Sequence, residues 1–189
     1  MKLSSALAGG IAFSPLISGK QREKLMNWAG NIEYSTSQLY VAESVDQVKN
    51  FIKGHPKFKV LGTRHCFNRI ADSNQNLISL KRLDQVLGLD PQALTVTVGA
   101  GITYGQLGPY LDAKGYALHN LASLPHISVA GACTTGTHGS GMTNGNLSTA
   151  VAAIEMFDAE GELIQLSVQK DRSKFEGAVV GLGALGVIT

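Results

Sequence analysis

The stretch KVLGTRHCFNRIA, residues 59–71, places a glycine turn directly after a short apolar run. The run predicts a strand, and Gly62 predicts a turn at its end. The turn then carries a cation and an imidazole, Arg64 and His65, where tight turns usually hold small residues. Small residues after a strand can direct successive backbone N–H groups at one anion. These residues alone indicate either an anion-binding loop or a surface turn with incidental polar side chains.

A second loop, LASLPHISVAGACTTGTHGSGMTNGNLS at residues 121–148, is rich in glycine, serine and threonine and contains no acidic residue. Such a segment can approach a ligand closely and donate many backbone and hydroxyl hydrogen bonds. The interleaved Ile127, Val129 and Ala130 favour an ordered loop, because a free linker gains nothing from apolar side chains. The sequence therefore predicts a ligand-binding loop rather than a floppy connection.

Composition limits the class of protein. The chain has 189 residues, 44% of them hydrophobic and 16% charged, which predicts a globular protein of one domain or two small subdomains. The formal charge of +2 is too small and too evenly spread to indicate a nucleic-acid partner. No apolar run reaches membrane-spanning length, so we predict no integral membrane segment. No His, Cys or Asp residues have ligand spacing, so we predict no metal.

The predicted elements mix short strands with helices. Helices are predicted at residues 21–32, from Ser44 to Gly54, from Thr103 to Gly115 and at residues 173–183. Strands are predicted at residues 39–44, 58–62, 76–80 and 94–101, in a hairpin at 150–168 and at 186–189. This order, without a strict βαβ repeat, favours an α+β fold over a doubly wound sheet. The absence of a G-x-G-x-x-G fingerprint argues against a Rossmann domain.

Two features stay open at the sequence level. Residues 1–21 read equally as the remnant of an export signal or as a flexible tail, and hence the protein belongs either in the periplasm or in the bacterial cytoplasm. Cys66 and Cys133 both lie in glycine-rich loops. They are either two small buried thiols, which we favour, or a disulfide.

The order of four motifs resembles a known family. NWAGNIEY (27–34) is followed by GTRHCFN (62–68), ASLPHISVAGACTTGTHGSG (122–141) and GALGVIT (183–189). Together they resemble the FAD-binding domain of the vanillyl-alcohol oxidase and p-cresol methylhydroxylase superfamily, and within it the alditol (xylitol) oxidases beside the sugar-lactone oxidases. The resemblance implies a p-cresol methylhydroxylase-type FAD-binding domain at residues 22–189, built from two small α/β subdomains.

The resemblance also implies roles for residues of the two loops. His65 is expected to be joined covalently to the 8-methyl group of FAD. The FAD-binding residues it implies in addition are Gly62, Thr63, Arg64, Cys66, Phe67, Asn68, Ser123, Ser128, Gly131, Thr135, Gly136, Thr137, His138 and Ile188. Ser123 is also expected to contact substrate hydroxyls, whereas His126 receives no role. Cys66 departs from the serine usual in the family, and a thiol is a weaker hydrogen-bond donor.

The implied activity is that of an FAD-dependent oxidoreductase acting on CH–OH groups. It would oxidise a polyol such as xylitol or sorbitol with molecular oxygen, giving an aldose and hydrogen peroxide. A sugar-1,4-lactone oxidase or dehydrogenase on the same scaffold is the first alternative, and a non-catalytic FAD-binding fragment that needs a partner chain is the second. Family enzymes carry a C-terminal cap domain, so we expect this chain to be truncated, with little activity and poor stability alone.

Overall fold

The structure, a computed structural model, describes residues 24–189, so the signal remnant or tail predicted at 1–21 lies outside the described residues. The strands are β1 Leu39–Val41, β2 Phe58–Val60, β3 Asn76–Ser79, β4 Val86–Asp90, β5 Thr95–Val98, β6 Ala153–Phe157, β7 Leu163–Ser167 and β8 Val187–Ile188. The helices are α1 Val45–Gly54, α2 Tyr104–Asp112, α3 Val129–Thr134 and α4 Val168–Val179, with a 3₁₀ turn at Leu147–Ala150.

The strands form three small sheets. The first is parallel, in the order β1-β3-β2, and places Leu77 opposite both Leu39 and Lys59. The second is the antiparallel hairpin β4-β5, and the third is antiparallel in the order β7-β6-β8. Helices alternate with these sheets without a regular βαβ repeat. The predicted α+β class is therefore confirmed.

One buried apolar cluster joins the first sheet to the third. Helix α1 begins as predicted, because the Ser44 side chain accepts from the backbone N–H of Gln47 at 3.2 Å. Its buried face, which includes Phe51, packs with Ile78 of β3 and with Phe157 and Val187 of the third sheet. Burial of such side chains stabilises each by about 1.5–3 kcal/mol, so this cluster fixes how the two sheets meet.

The helix predicted at residues 21–32 is wrong for its described part. Residues 24–33 instead form a bridge between Met26 and Glu33 around a tight turn. The reason lies in Asn27, whose Oδ1 accepts from the backbone N–H groups of Asn31 and Ile32 at 3.1 and 3.0 Å. Asparagine side chains that bond nearby backbone in this way compete with helix formation.

Helix α4 begins earlier than predicted, at Val168 rather than residue 173. Ser167 caps it by accepting from the Lys170 backbone N–H at 3.2 Å, and the helix is kinked at Asp171, where φ is −131°. Strand β4 and helix α3 were not predicted, and α3 lies inside the second loop. From residue 24 onward, no helix is both long and apolar enough to cross a membrane.

Candidate functional site

A cleft of about 1090 Å³ opens where the first and third sheets meet. Its lining combines the carboxyl ends of β2 and β3, at Val60 and Ser79, with Met156 of β6 and Ile188 of β8. Carboxyl ends of parallel strands are the usual place for ligands in α/β sheets. The volume is large enough for a dinucleotide-sized molecule rather than a small metabolite alone.

The cleft is electropositive although the chain is nearly neutral. Its lining includes Lys24, Lys59, Arg64 and Lys81, and among residues 24–189 it includes no aspartate or glutamate. Lys24 is paired with Glu33 at 2.8 Å, which leaves Lys59, Arg64 and Lys81 without a carboxylate partner among residues 24–189. Unpaired cations that line a concave surface attract anionic ligands and hold them there. The charge of the cleft therefore favours a ligand that carries phosphate or carboxylate groups.

The first loop supplies a run of free donors to this cleft. All of residues 62–68 lie in its lining. Within the described part of the chain, no backbone N–H from residue 62 to residue 69 donates a hydrogen bond. Arg64 has a φ of 66°, the left-handed conformation that helps neighbouring N–H groups converge on an anion. A loop with these features can cradle an anion.

The two loops meet at Ser128, which is buried. Its backbone N–H lies 3.4 Å from the Thr63 hydroxyl oxygen. A Cβ added at Gly62 would come within 3.3 Å of Ser128 Oγ, and one added at Gly131 within 2.7 Å. A larger residue at Gly62 would press on the second loop, and one at Gly131 would displace the Ser128 side chain within that loop. The glycines therefore allow the close approach that joins both loops into one wall.

His65 lies in a cluster of three rings. Its ring centroid is 4.7 Å from that of Trp28 and 4.8 Å from that of His126, and the Trp28 and His126 centroids are 5.7 Å apart. Burial lowers the pKa of His65, and the neighbouring His126 lowers it further. At neutral pH the imidazole is therefore uncharged and keeps a lone pair on one ring nitrogen.

The Nε2 atom of His65 is buried and has no hydrogen-bond partner among residues 24–189. A buried polar atom without a partner costs about 1–3 kcal/mol, so its retention calls for a functional explanation. His65 itself lines the cleft, beside free N–H donors and cations. These observations place an uncharged imidazole beside donors that suit an anionic ligand.

Both cysteines are free thiols, so no disulfide joins them; Cys133 is buried as the favoured prediction has it, whereas Cys66 is only half-buried. Burial raises the pKa of Cys66, which lines the cleft, so it is a neutral thiol at neutral pH. Burial also raises the pKa of Cys133, whose Sγ lies 3.8 Å from the Tyr104 hydroxyl. Neither thiol has the thiolate character that reactive cysteines need.

The remaining predicted residues divide into two groups. Ser128, Gly131, Thr135, Thr137 and Ile188 lie in the lining of the cleft, whereas Ser123, Gly136 and His138 do not. Gly136 has a φ of 63° and follows the end of α3, and His138 Nδ1 lies 3.1 Å from the Gly139 carbonyl oxygen. The roles predicted for both groups in binding FAD or substrate stay predictions.

The sequence did not assign several residues that the structure brings to the cleft: Trp28, Lys59, Lys81, His126 and the loop at residues 181–186. Lys81 follows β3, and its place at the carboxyl end of a parallel strand was a usable signal. Trp28 and His126 lie in motifs that carry the family resemblance, but nothing in those motifs indicates that they lie beside His65, because only the tertiary fold brings them there. Among the described residues, no group of three or more His, Cys, Asp or Glu side chains could hold a metal ion.

Fold and cleft together define a binding domain for a large anionic cofactor, with loops from two sheets around it. The chain belongs to the FAD binding domain family, whose model matches residues 37–167. The predicted resemblance to the FAD-binding domain of the vanillyl-alcohol oxidase superfamily is thereby confirmed.

Curated relatives include oxidases of polyols and of sugar lactones. The chain is 41% identical over 166 residues to the alditol oxidase of a Streptomyces species, covering 86% of this chain and 40% of that protein. It is 33% identical to the L-gulonolactone oxidase of Mus musculus, over 92% of this chain and 40% of the relative. It is 31% identical to the D-arabinono-1,4-lactone oxidase of Saccharomyces cerevisiae, over 86% of this chain and 32% of the relative. The chain therefore spans less than half the length of these relatives.

Proposed function

We propose that the chain holds FAD in the electropositive cleft, as the cofactor-binding part of an oxidase that acts on CH–OH groups. The run of free N–H groups at residues 62–68, in a lining that holds three cations without a carboxylate partner among residues 24–189, is the observation that carries this proposal. Lys59, Arg64 and Lys81 supply charge for the diphosphate. The match to the FAD binding domain family supports the same cofactor.

Within this proposal His65 is the covalent anchor of the flavin. The lowered pKa supports a neutral imidazole, and no hydrogen bond from Nε2 to residues 24–189 would have to break. Because Nε2 is buried, the ring would have to turn to bring this nitrogen to the flavin. Bond formation would join an imidazole nitrogen to the 8-methyl carbon of the flavin, breaking the N–H bond and one methyl C–H bond. Both electrons and both protons would pass to molecular oxygen, giving hydrogen peroxide, so the atoms balance.

Bound FAD would supply the acceptor for a hydride from the substrate alcohol and pass the electrons to oxygen. We favour a polyol such as xylitol or sorbitol as substrate, because the identity to alditol oxidase is 41%. Ser123, in the second loop, is the residue we assign to the substrate hydroxyls. It is exposed and outside the cleft lining, which suits contact with a ligand that lies above the cofactor.

A sugar-1,4-lactone is the second substrate class. The lactone oxidases of Mus musculus and Saccharomyces cerevisiae, at 33% and 31% identity, favour it. The polyol and lactone substrate classes are distinguished by peroxide formation. It is measured on the purified protein with xylitol, sorbitol and an aldono-1,4-lactone in parallel. A protein that binds FAD and oxidises none of them until a second chain is added would instead be a cofactor-binding module.

The binding of FAD is tested with the intrinsic fluorescence of the chain. Trp28 is its one tryptophan and lines the cleft, so flavin bound there should quench its emission by energy transfer. We expect saturable quenching as FAD is added to the apoprotein. Adenosine monophosphate, which has no flavin ring, is the control ligand and should not quench by this route. Absence of quenching with FAD would contradict the proposed function.

A further inference from the structure

The carbonyl groups on either side of His65 both accept hydrogen bonds from one dipeptide. The backbone N–H of Trp28 donates to the carbonyl oxygen of Arg64 at 2.8 Å. The side-chain Nδ2 of Asn27 donates to the carbonyl oxygen of Cys66 at 3.1 Å. The backbone of His65 is thus held from both sides by residues 27 and 28.

These two bonds also decide where the neighbouring donors point. In a trans peptide the N–H points opposite to the carbonyl, so carbonyls turned toward residues 27 and 28 direct the N–H groups of His65 and Phe67 away from them. Both N–H groups belong to the run that donates no hydrogen bond within residues 24–189. The dipeptide therefore keeps donors of the first loop available for a ligand.

Asn27 is itself rigidly held. It is 4% exposed, and its Oδ1 accepts from the backbone N–H groups of Asn31 and Ile32. Its Nδ2 donates to Asn31 Oδ1 at 2.9 Å as well as to the Cys66 carbonyl. Every hydrogen-bonding site on this carboxamide is in use. The side chain therefore fixes the first loop relative to the turn at residues 27–32.

The first loop needs such support because Arg64 has a φ of 66°. The left-handed conformation lowers the population of an L residue by about five- to thirtyfold relative to ordinary conformations. Without external contacts the loop would relax, and a ligand would have to restore its shape on binding. The Arg64 side chain adds one contact of its own, from Nη1 to the Met26 carbonyl at 3.1 Å.

We propose that Asn27 is a positioning residue for FAD, which holds Arg64 left-handed and His65 in place through its bond to the Cys66 carbonyl. The cofactor then meets a preformed loop and does not pay to order it. This inference rests on the proposed function only for the identity of the cofactor. The hold of Asn27 on the loop is a property of the protein without FAD.

The test uses the isosteric change Asn27→Asp at about pH 8, well above the ordinary pKa of a carboxyl group. An aspartate still accepts from the N–H groups of Asn31 and Ile32, but it removes the donors to the Cys66 carbonyl and to Asn31 Oδ1. The matched control is Asn76→Asp, because Asn76 Nδ2 donates to the Lys57 carbonyl at 3.3 Å and lies outside the cleft lining. Both changes add the same charge.

Two quantities are measured on the full chain. The first is amide hydrogen exchange of Trp28 by NMR in the protein without FAD, which reports the bond to the Arg64 carbonyl. The second is the dissociation constant of FAD by equilibrium dialysis, in a His65→Ala background so that binding is reversible. We expect Asn27→Asp to speed Trp28 exchange and to weaken FAD binding, each by about five- to thirtyfold. The control should leave both quantities nearly unchanged.

Combination with Arg64→Gly separates positioning from charge repulsion. Glycine adopts a positive φ without strain, so the loop no longer needs holding. The cost of Asn27→Asp in FAD affinity should then fall to about twofold or less. A cost that stays the same in the Arg64→Gly background would overturn the proposal, because repulsion by the new carboxylate would explain it.

Two further results would overturn the inference. Unchanged Trp28 exchange in Asn27→Asp would mean that Asn27 does not hold the loop. Faster exchange with unchanged FAD affinity would mean that the hold does not serve the cofactor. If the His65→Ala reference bound no FAD at all, the proposed function would fail, and Trp28 exchange would still decide whether Asn27 positions the loop.

Discussion

At the scale of single residues, the cleft contains two groups that cost folding free energy, one by its backbone conformation and one by a missing hydrogen bond. Arg64 is left-handed, and His65 carries a buried Nε2 without a partner among the described residues. Such outliers persist where the surrounding structure holds them, and they concentrate at functional sites. Here the surroundings are Trp28 and His126, whose rings contact His65.

The pKa of His65 gives a prediction for the stability of the apoprotein. Because burial and His126 lower this pKa in the folded state, the unfolded chain binds the proton more readily. The contribution of His65 to the free energy of unfolding is therefore fully present above about pH 6.5, the ordinary pKa of histidine. It is lost as the pH falls toward the lowered pKa of the folded state. Urea unfolding of the chain and of His65→Ala, from about pH 8 to about pH 5.5, measures it. The stability difference between the two proteins should change across this window, and parallel curves would contradict the assignment.

At the scale of elements, the short helix α3 forms part of the cleft wall because it begins at the point where the loops meet. Ser128 precedes the helix, and Gly131 in its first turn lies against the Ser128 side chain. At the end of the helix, the Thr134 hydroxyl donates a hydrogen bond to the Ala130 carbonyl within the helix itself, at 2.8 Å. Packing rather than helix propensity holds so short a helix.

Two glycines in helices should respond oppositely to alanine. In Gly131→Ala the new methyl meets Ser128 Oγ, so we expect a loss of about 1–3 kcal/mol in unfolding free energy. In Gly177→Ala of α4 nothing lies within 4 Å, so we expect a gain of about 0.5–1 kcal/mol. Denaturant unfolding measures both. The double change Ser128→Ala with Gly131→Ala should recover most of the loss, and no recovery would contradict the contact.

The sequence predicted elements well where local periodicity and caps decide them. Helix α1, with its Ser44 cap, and the hairpin β6-β7 followed from these signals. The helix predicted at residues 21–32 failed because Asn27 bonds nearby backbone, which a periodicity count does not weigh. The residues of the first loop left an anion-binding loop and a surface turn open. The cluster of Trp28 with His65 and His126 could not be predicted, because it depends on tertiary contacts between distant segments.

At the scale of the whole molecule, charge is distributed so that the cleft differs from the rest of the surface. Four cations line it without a carboxylate among residues 24–189, whereas the chain carries a net charge of only +2. The buried cluster that joins α1 to both sheets fixes the walls of the cleft relative to each other. The site is therefore a product of how the sheets meet and not of one loop alone.

Removal of cleft cations should weaken FAD binding in a salt-dependent way. Lys59→Ala and Lys81→Ala should each weaken binding about two- to fivefold at low ionic strength, with a smaller effect at high salt. Lys57→Ala is the control, because Lys57 lies just before β2 and outside the cleft lining. Titrations by Trp28 quenching, in a His65→Ala background, give the constants. Equal effects of all three changes would argue against the proposed diphosphate position.

The covalent attachment of FAD to His65 is tested most directly by acid precipitation of the purified protein after incubation with FAD in air. We predict that yellow flavin stays with the pellet and fluoresces on a denaturing gel, and that the His65→Ala variant releases it. His55 stacks on Phe51 outside the cleft, so the control variant His55→Ala should retain the flavin. Release of all flavin from the unmodified protein, or retention by His65→Ala, would contradict the central claim that His65 anchors FAD.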